Sequence, residues 1–316
     1  LRIQKKIWFK FLQLVVVLLA GWFLYSELSA GLNWELLFTF DEPSYFAYIL
    51  FLFPLNLGLE AAKWWKLTRS FGQLSYSRSV SSVLIGHFYT LFTPNRIGDG
   101  AGRLHFLAPG NKTRATWAFI NGSMSQFLCT LVVGSLGLAI IQQWTIETDA
   151  TWWIYAQWMR WPVWLATIIL LLLYIEPGWV TLAIDNSKED GWFGKRVRTL
   201  QHYSRRQNAG TLVLSALRYV TFATQMYFAL KLYGISGDAF EIYLRIGILY
   251  LATTLIPTAA LAEFGVRESL AILLFPAAGI SEEGAFAATL LVWLVNLLFP
   301  AILGGILFTR LQPSKK

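Results

Sequence analysis

Apolar runs alternate with short charged stretches along almost the whole chain, and the length of each run decides what it can become. Residues 7 to 25 (IWFKFLQLVVVLLAGWFLY) are long enough to cross a bilayer core as a helix, for which roughly 20 residues suffice. Comparable runs lie at about Tyr45 to Lys66, Thr116 to Ile141, within Trp158 to Ile184 around LATIILLLLYI, Thr211 to Leu232 and Phe286 to Phe308. Together they predict six transmembrane helices. Two further runs, about Val80 to Phe92 and Ile242 to Ile256, are too short for an ordinary span. A proline closes each of them, Pro94 or Pro257, and a second arm follows, which for the later run is Glu263 to Phe275. Such segments predict two re-entrant helical hairpins, at 80–107 and 242–276, because irregular backbone at membrane depth is tolerated where it is buried in protein or lines a cavity.

Charge then orients these elements. Arg2, Lys5, Lys6 and Lys10 surround the start of the first run, the next loop carries Glu27, Glu35, Asp41 and Glu42, and bases return at Lys63, Lys66, Arg69 and Arg78. The most basic loop holds Lys188, Lys195, Arg196, Arg198, Arg205 and Arg206, which suits a segment lying near anionic headgroups. Bases in alternate loops place both termini in the cytoplasm, open the first hairpin from that side and open the second from outside. The order span, span, hairpin, span occurs twice, over 1–145 and 158–310. Phe71-Gly72 and Tyr233-Gly234 stand at nearly the same distance before Pro94 and Pro257. Three spans per half invert the second copy, which is the layout of inverted-repeat transporters with a substrate site at mid-membrane.

Composition supports the same class. Of 316 residues, 56% are hydrophobic and only 14% charged, against about 25% charged in soluble proteins. The expectation is an all-α integral membrane protein. The formal charge of +8 is accounted for by the basic loops, so no nucleic-acid partner is expected. One cysteine, Cys129, excludes a disulfide within the chain, and three separated histidines (His87, His105, His202) argue against a metal cluster. No cofactor is expected. No phosphate-binding loop of the nucleotide-hydrolase type is present, so energy for any transport would come from an ion, potential or lipid gradient. The first apolar run lacks a small-residue cleavage site and is expected to be a span, not a signal peptide.

Candidate chemistry sits where the prolines interrupt the apolar runs. TPNRIGDGAGR (Thr93 to Arg103) and IPTAALAEFGVRE (Ile256 to Glu268) each place an acid four residues before an arginine: Asp99 with Arg103, and Glu263 with Arg267. That spacing puts both groups on one helix face. A guanidinium binds phosphate through a planar fork, and an arginine at membrane depth needs a counter-charge. Arg103 and Arg267 are therefore candidate headgroup ligands, with Asp99, Glu263 and Glu268 holding them ready. In the competing reading each acid merely neutralises its arginine and pins the hairpin. Pro94 and Pro257 would break the helices and act as hinges together with Gly98, Gly100 and Gly265, and Gly98, Gly100, Gly102 and Gly265 would let backbone approach a ligand. Glu60 is a further acid in an apolar stretch, either facing the cavity or pairing with Lys63 and Lys66 near the interface. Arg218 and Arg245 fall near inferred element ends, where snorkelling accounts for them.

Pro94 with Gly98 and Arg103, followed later by EFGVRE from Glu263 to Glu268, resembles the lysylphosphatidylglycerol synthase transmembrane (flippase-like) family, in which a glycine-valine-arginine-glutamate signature closes the second half. Ala259, Ala260 and Leu261 depart from the glycine-rich approach to that signature. The resemblance implies movement of lipids or lipid-linked precursors across the cytoplasmic membrane. Some members carry a soluble aminoacyl-transferase domain, which is expected to be absent from a sequence ending at Lys316 just after the last span. The leading expectation is a flippase-like transporter for a phospholipid or lipid-linked phosphate, without enzymatic activity. Membrane lipids are the expected partners, with a homodimer or a separate synthase as further candidates. Two alternatives stay open: an intramembrane enzyme acting on a lipid or polyprenyl phosphate, and a non-transporting partner of a lipid synthase.

Overall fold

A computed structural model of the chain describes residues 38–93, 97–141, 152–176, 203–256 and 260–311, with backbone alone at 152–157, 159 and 260–264. The first apolar run, Pro94 and Pro257 lie outside the described residues. Among those residues every regular element is helical, as the apolar runs predict.

The first long helix, α1 (Ser44–Gly72), ends where Gln73 turns left-handed at φ 47°. A pair of shorter helices follows, α2 (Tyr76–Thr90) and α3 (Ile97–Arg103). The Ser75 hydroxyl starts α2 by accepting from the Arg78 amide at 3.3 Å, which satisfies one of the orphan donors of the first turn. Next come α4 (Lys112–Ile140) and α5 (Trp152–Ile175). Then α6 (Arg205–Leu232) opens on a reciprocal capping box between Ser204 and Gln207. It closes on a Schellman turn, with Ile235 N–H on Leu230 C=O at 3.1 Å and Gly234 at φ 87°. The second pair is α7 (Ala239–Leu255), capped by the Asp238 carboxylate, and α8 (Ala260–Leu274). The final rod comprises α9 (Glu282–Trp293), a five-residue π-turn (Leu294–Leu298) and α10 (Phe299–Leu311).

Three stretches are long and apolar enough to cross a membrane: Ser44–Gly72, Pro109–Ile140 and Glu282–Leu311. They coincide with the predicted second, third and sixth spans. Helix α6 also has the length, 28 residues, or about 42 Å at 1.5 Å per residue, yet it lacks the hydropathy. Asn208, Thr211, Ser215, Thr221 and Gln225 are buried along it at helical spacing, so its polar stripe faces protein and not lipid.

Packing is closest where side chains are smallest. A Cβ on Gly102 would lie 2.7 Å from the Cα and N of Gly86, so α2 and α3 meet backbone to backbone. Helices α4 and α7 approach in the same way: a Cβ on Gly137 would lie 2.7 Å from the Leu244 carbonyl. In the last rod α9 packs on α8 and α6, whereas α10 packs on α2 with Gly304 against the Leu84 carbonyl. The glycines of the first motif thus do something other than expected. Gly98 closes on the Tyr89 carbonyl and Gly102 on Gly86, and only Gly100 borders open space, beside Phe119. Gly102→Val is expected to destabilise the protein by about 1–3 kcal/mol, since neither backbone can yield to the added carbons. Thermal unfolding of purified protein reads this out, and a melting temperature equal to wild type would remove Gly102 from the packing argument.

Candidate functional site

The α1 helix delivers three polar side chains from one face: Asn56, Glu60 and Lys63, spaced four and three residues apart and all buried. Glu60 is the hub of the site. Its carboxylate accepts from Arg103 Nη1 at 2.7 Å and pairs with Lys63 Nζ at 2.9 Å and Arg218 Nε at 3.3 Å. One carboxylate therefore compensates three cations from α1, α3 and α6.

Arg103 is held from two sides. Asp99, one turn earlier on α3, takes Nε at 2.7 Å and Nη2 at 2.6 Å in the bidentate form that suits a guanidinium. Its Cζ lies over the rings of Trp64 and Phe119, 5.7 and 5.4 Å from their centroids. Three of its five N–H donors are engaged by Asp99 and Glu60, so the fork is aimed without being saturated. Arg218 Nη1 donates to Gln126 on α4 at 3.1 Å, and Lys63 Nζ reaches Ser215 on α6 at 3.4 Å.

These groups border a cavity of about 890 Å³. Arg267, from α8 in the second helix pair, lines the same space, within electrostatic range of Tyr250 on α7. Among the described residues, four cationic side chains (Lys63, Arg103, Arg218, Arg267) thus share the wall with two carboxylates, Glu60 and Asp99. Phe119, Phe127, Phe222 and Leu297 make the rest of the wall partly apolar. A cation-rich, amphiphilic cavity of this size accommodates an anionic headgroup with some attached hydrocarbon. Among the described residues no group of three or more His, Cys, Asp or Glu is placed to hold a metal ion.

Of the residues singled out in the sequence, Arg103, Asp99, Glu60, Gly100 and Arg267 line the cavity. Glu268 is buried at 2% exposure but lies outside the lining, and Gly265 is half-buried on α8. The Glu263 side chain, Pro94 and Pro257 lie outside the described residues. His105 meets Phe106 and Phe308 edge to face and does not line the cavity, whereas His87 borders it. Two arginines are not where snorkelling would put them. Arg218 sits mid-helix in the ion cluster, because Glu60 and Gln126 draw it inward. Arg245 is buried at 4% exposure, bound by Glu241 and by the Leu274 carbonyl at 2.6 Å, and so ties α7 to the end of α8. Lys63, Arg218, Asn56 and Gln126 are site residues that the motif search missed. The signal was the helical spacing of polar positions 56, 60 and 63 on α1 and 208, 211, 215, 218 and 225 on α6.

The family model described as "Lysylphosphatidylglycerol synthase TM region" matches residues 10–304. No curated protein matches the chain. With almost its whole length matched, the chain belongs to that family, which ties it to membrane lipid.

Proposed function

We propose that this member of the lysylphosphatidylglycerol synthase transmembrane family is a flippase-like transporter, moving a phospholipid or lipid-linked phosphate headgroup across the cytoplasmic membrane. The observation that carries the reading is the meeting of Arg103 and Arg267, from two separate helix pairs, at one cavity whose described lining includes Lys63 and Arg218 as further cations. Phosphate is the ligand for which two guanidinium forks and an ammonium are best suited. In this proposal the pairs α2–α3 and α7–α8 are the two re-entrant hairpins of an inverted repeat with six spans, open to opposite sides, and both termini face the cytoplasm. Asp99 and Glu60 keep Arg103 desolvated yet neutralised until a headgroup phosphate competes for its remaining donors. The apolar walls at Phe119, Phe127 and Phe222 then accept the first carbons of the tail.

The test is reconstitution of the purified protein into vesicles carrying acyl-labelled phosphatidylglycerol, with a membrane-impermeant quencher outside. Translocation lowers the protected fraction below the half expected of a static bilayer. Protection equal to that of protein-free vesicles, for phosphatidylglycerol and for a polyprenyl phosphate alike, would overturn the reading.

A further inference from the structure

The last rod is long and apolar enough to be one span, yet its helical ladder is interrupted near the middle. At Leu294–Leu298 the bonding widens to a π-turn, closed by the Phe299 N–H on the Leu294 carbonyl five residues back. The next residue is Pro300, which has no N–H to give, so the rung after that one is missing. Two adjoining rungs are therefore irregular. A π-turn and a proline are two of the few features at which long helices bend.

On either side of this joint the rod is seated on a different helix pair. Its first arm, α9, packs on α8 and α6 with Ala285 and Ala288 fully buried. Its second arm, α10, packs on α2, where Gly304 lies against the Leu84 carbonyl and Phe308 meets Phe88 and Tyr89 with ring centroids 6.0 and 5.6 Å away. One arm thus rides with the pair α7–α8 and the other with the pair α2–α3. The polar fastenings of the joint go to neither. Asn296, at the centre of the π-turn, accepts from Asn56 Nδ2 on α1 at 2.7 Å and donates to Gln225 Oε1 on α6 at 3.1 Å. Val292, Trp293, Asn296 and Leu297 also line the large cavity, so bending here would reshape its wall.

We propose that Leu294–Pro300 is the hinge of the transporter: the two arms of the last rod bend about Asn296, which α1 and α6 hold as a fulcrum, so that one helix pair opens as the other closes. The proposal rests on the transporter reading and adds the moving part to it. Hinges of this kind are a few residues at an interruption between rigid elements. A π-turn that merely set the facing of two fixed arms would be replaceable by any variant keeping those facings. Deletion of Leu298 is such a variant. A π-turn holds one residue more than an α-turn, so the deletion restores regular bonding while α9 and α10 keep their present sides towards α8 and α2. Pro300→Ala, added to it, supplies the missing donor.

Translocation of acyl-labelled phosphatidylglycerol in vesicles, read beside native mass spectrometry of short-chain phosphatidylglycerol binding and hydrogen exchange on the purified full-length chain, tests the hinge. The combined variant is expected to fold, to bind the lipid within about twofold of wild type and to translocate at least roughly tenfold more slowly. Pro300→Ala alone is expected to slow translocation about threefold. In wild type the amides of 294–299 are expected to exchange roughly tenfold faster than those of 286–292 and 301–307, and in the combined variant to match them. Wild-type translocation in the combined variant, losses of binding and translocation that match, or wild-type exchange at 294–299 no faster than in the arms would overturn the hinge. If the deletion does not fold, wild-type translocation in Pro300→Ala overturns it equally. Wild-type protein that binds lipid without translocating it would remove the transporter reading instead, and the exchange pattern then decides the joint by itself.

Discussion

Glu60→Gln is expected to lower the stability of the protein more than any other single polar substitution in the bundle. The amide keeps the size of the side chain and one acceptor oxygen, but it leaves Lys63, Arg103 and Arg218 with only Asp99 as a described partner carboxylate in the cavity wall. Removing one member of a buried ion cluster costs about 3–5 kcal/mol, because a desolvated charge loses its compensation. That is a large part of the 5–15 kcal/mol by which a native fold is ordinarily favoured. The expected result is a melting temperature depressed by well over that of Gly102→Val, together with poor recovery of monodisperse protein from detergent. The cause is separable from lost packing. Arg218→Met, added to Glu60→Gln, removes one of the stranded cations, so the double variant should recover part of the loss, a non-additivity of about 1–3 kcal/mol for groups in contact. A Glu60→Gln protein that melts with wild type would sink the hub assignment.

Arg267→Gln is the sharper functional test. Arg267 reaches the cavity from α8 in the second helix pair, whereas Arg103 is tied into the Asp99–Glu60 cluster from the first. Hydrogen bonds to a charged group contribute about 1.5–3 kcal/mol. Loss of its contact with a headgroup phosphate should therefore slow translocation between tenfold and a hundredfold, with vesicle incorporation unchanged. Arg245→Gln is the matched control. It removes a buried arginine of the same helix pair that binds Glu241 and the Leu274 carbonyl and does not line the cavity. It should lower the melting temperature and leave the rate per folded molecule alone. Equal rates in Arg267→Gln and wild type would remove the second helix pair from the binding site.

What could be read from the sequence divides along physical lines. Apolar run length located the helices, because burial in lipid demands continuous hydrophobicity, and the four-residue spacing of Asp99 and Arg103 foretold a pair that forms within a single turn. Both are local properties. The partners of Glu60 on α3 and α6 lie 43 and 158 positions away, and no periodicity connects them. Arg218 was misjudged because the apolar run begins at Thr211 whereas helix α6 begins at Arg205, so its middle passed for an end. The glycines of the first motif were assigned to ligand approach, whereas two of the three serve helix contact, a distinction only the facing backbone of α2 reveals. Asn56, Gln225 and Asn296 look like ordinary amides in the sequence, and the hydrogen bonds of Asn296 to the other two exist only once α1, α6 and the π-turn meet.

The five-residue turn at Leu294–Leu298 has a geometric consequence for both helix pairs. An α-helix advances about 100° per residue, so one extra residue in a turn rotates everything beyond it by about that angle. Residues 282–293 present one side to α8, and residues 299–311 present Gly304 to α2, with the offset inserted between them. Regular α-helical bonding across 294–298 with every residue kept would turn the C-terminal half like a shaft slipped on its key. Gly304 would leave the Leu84 carbonyl, Leu303 would strike it, and Asn296 would swing away from Asn56 and Gln225. The last rod is thus a camshaft whose two lobes are timed to different helix pairs, and its timing is set by a single added residue.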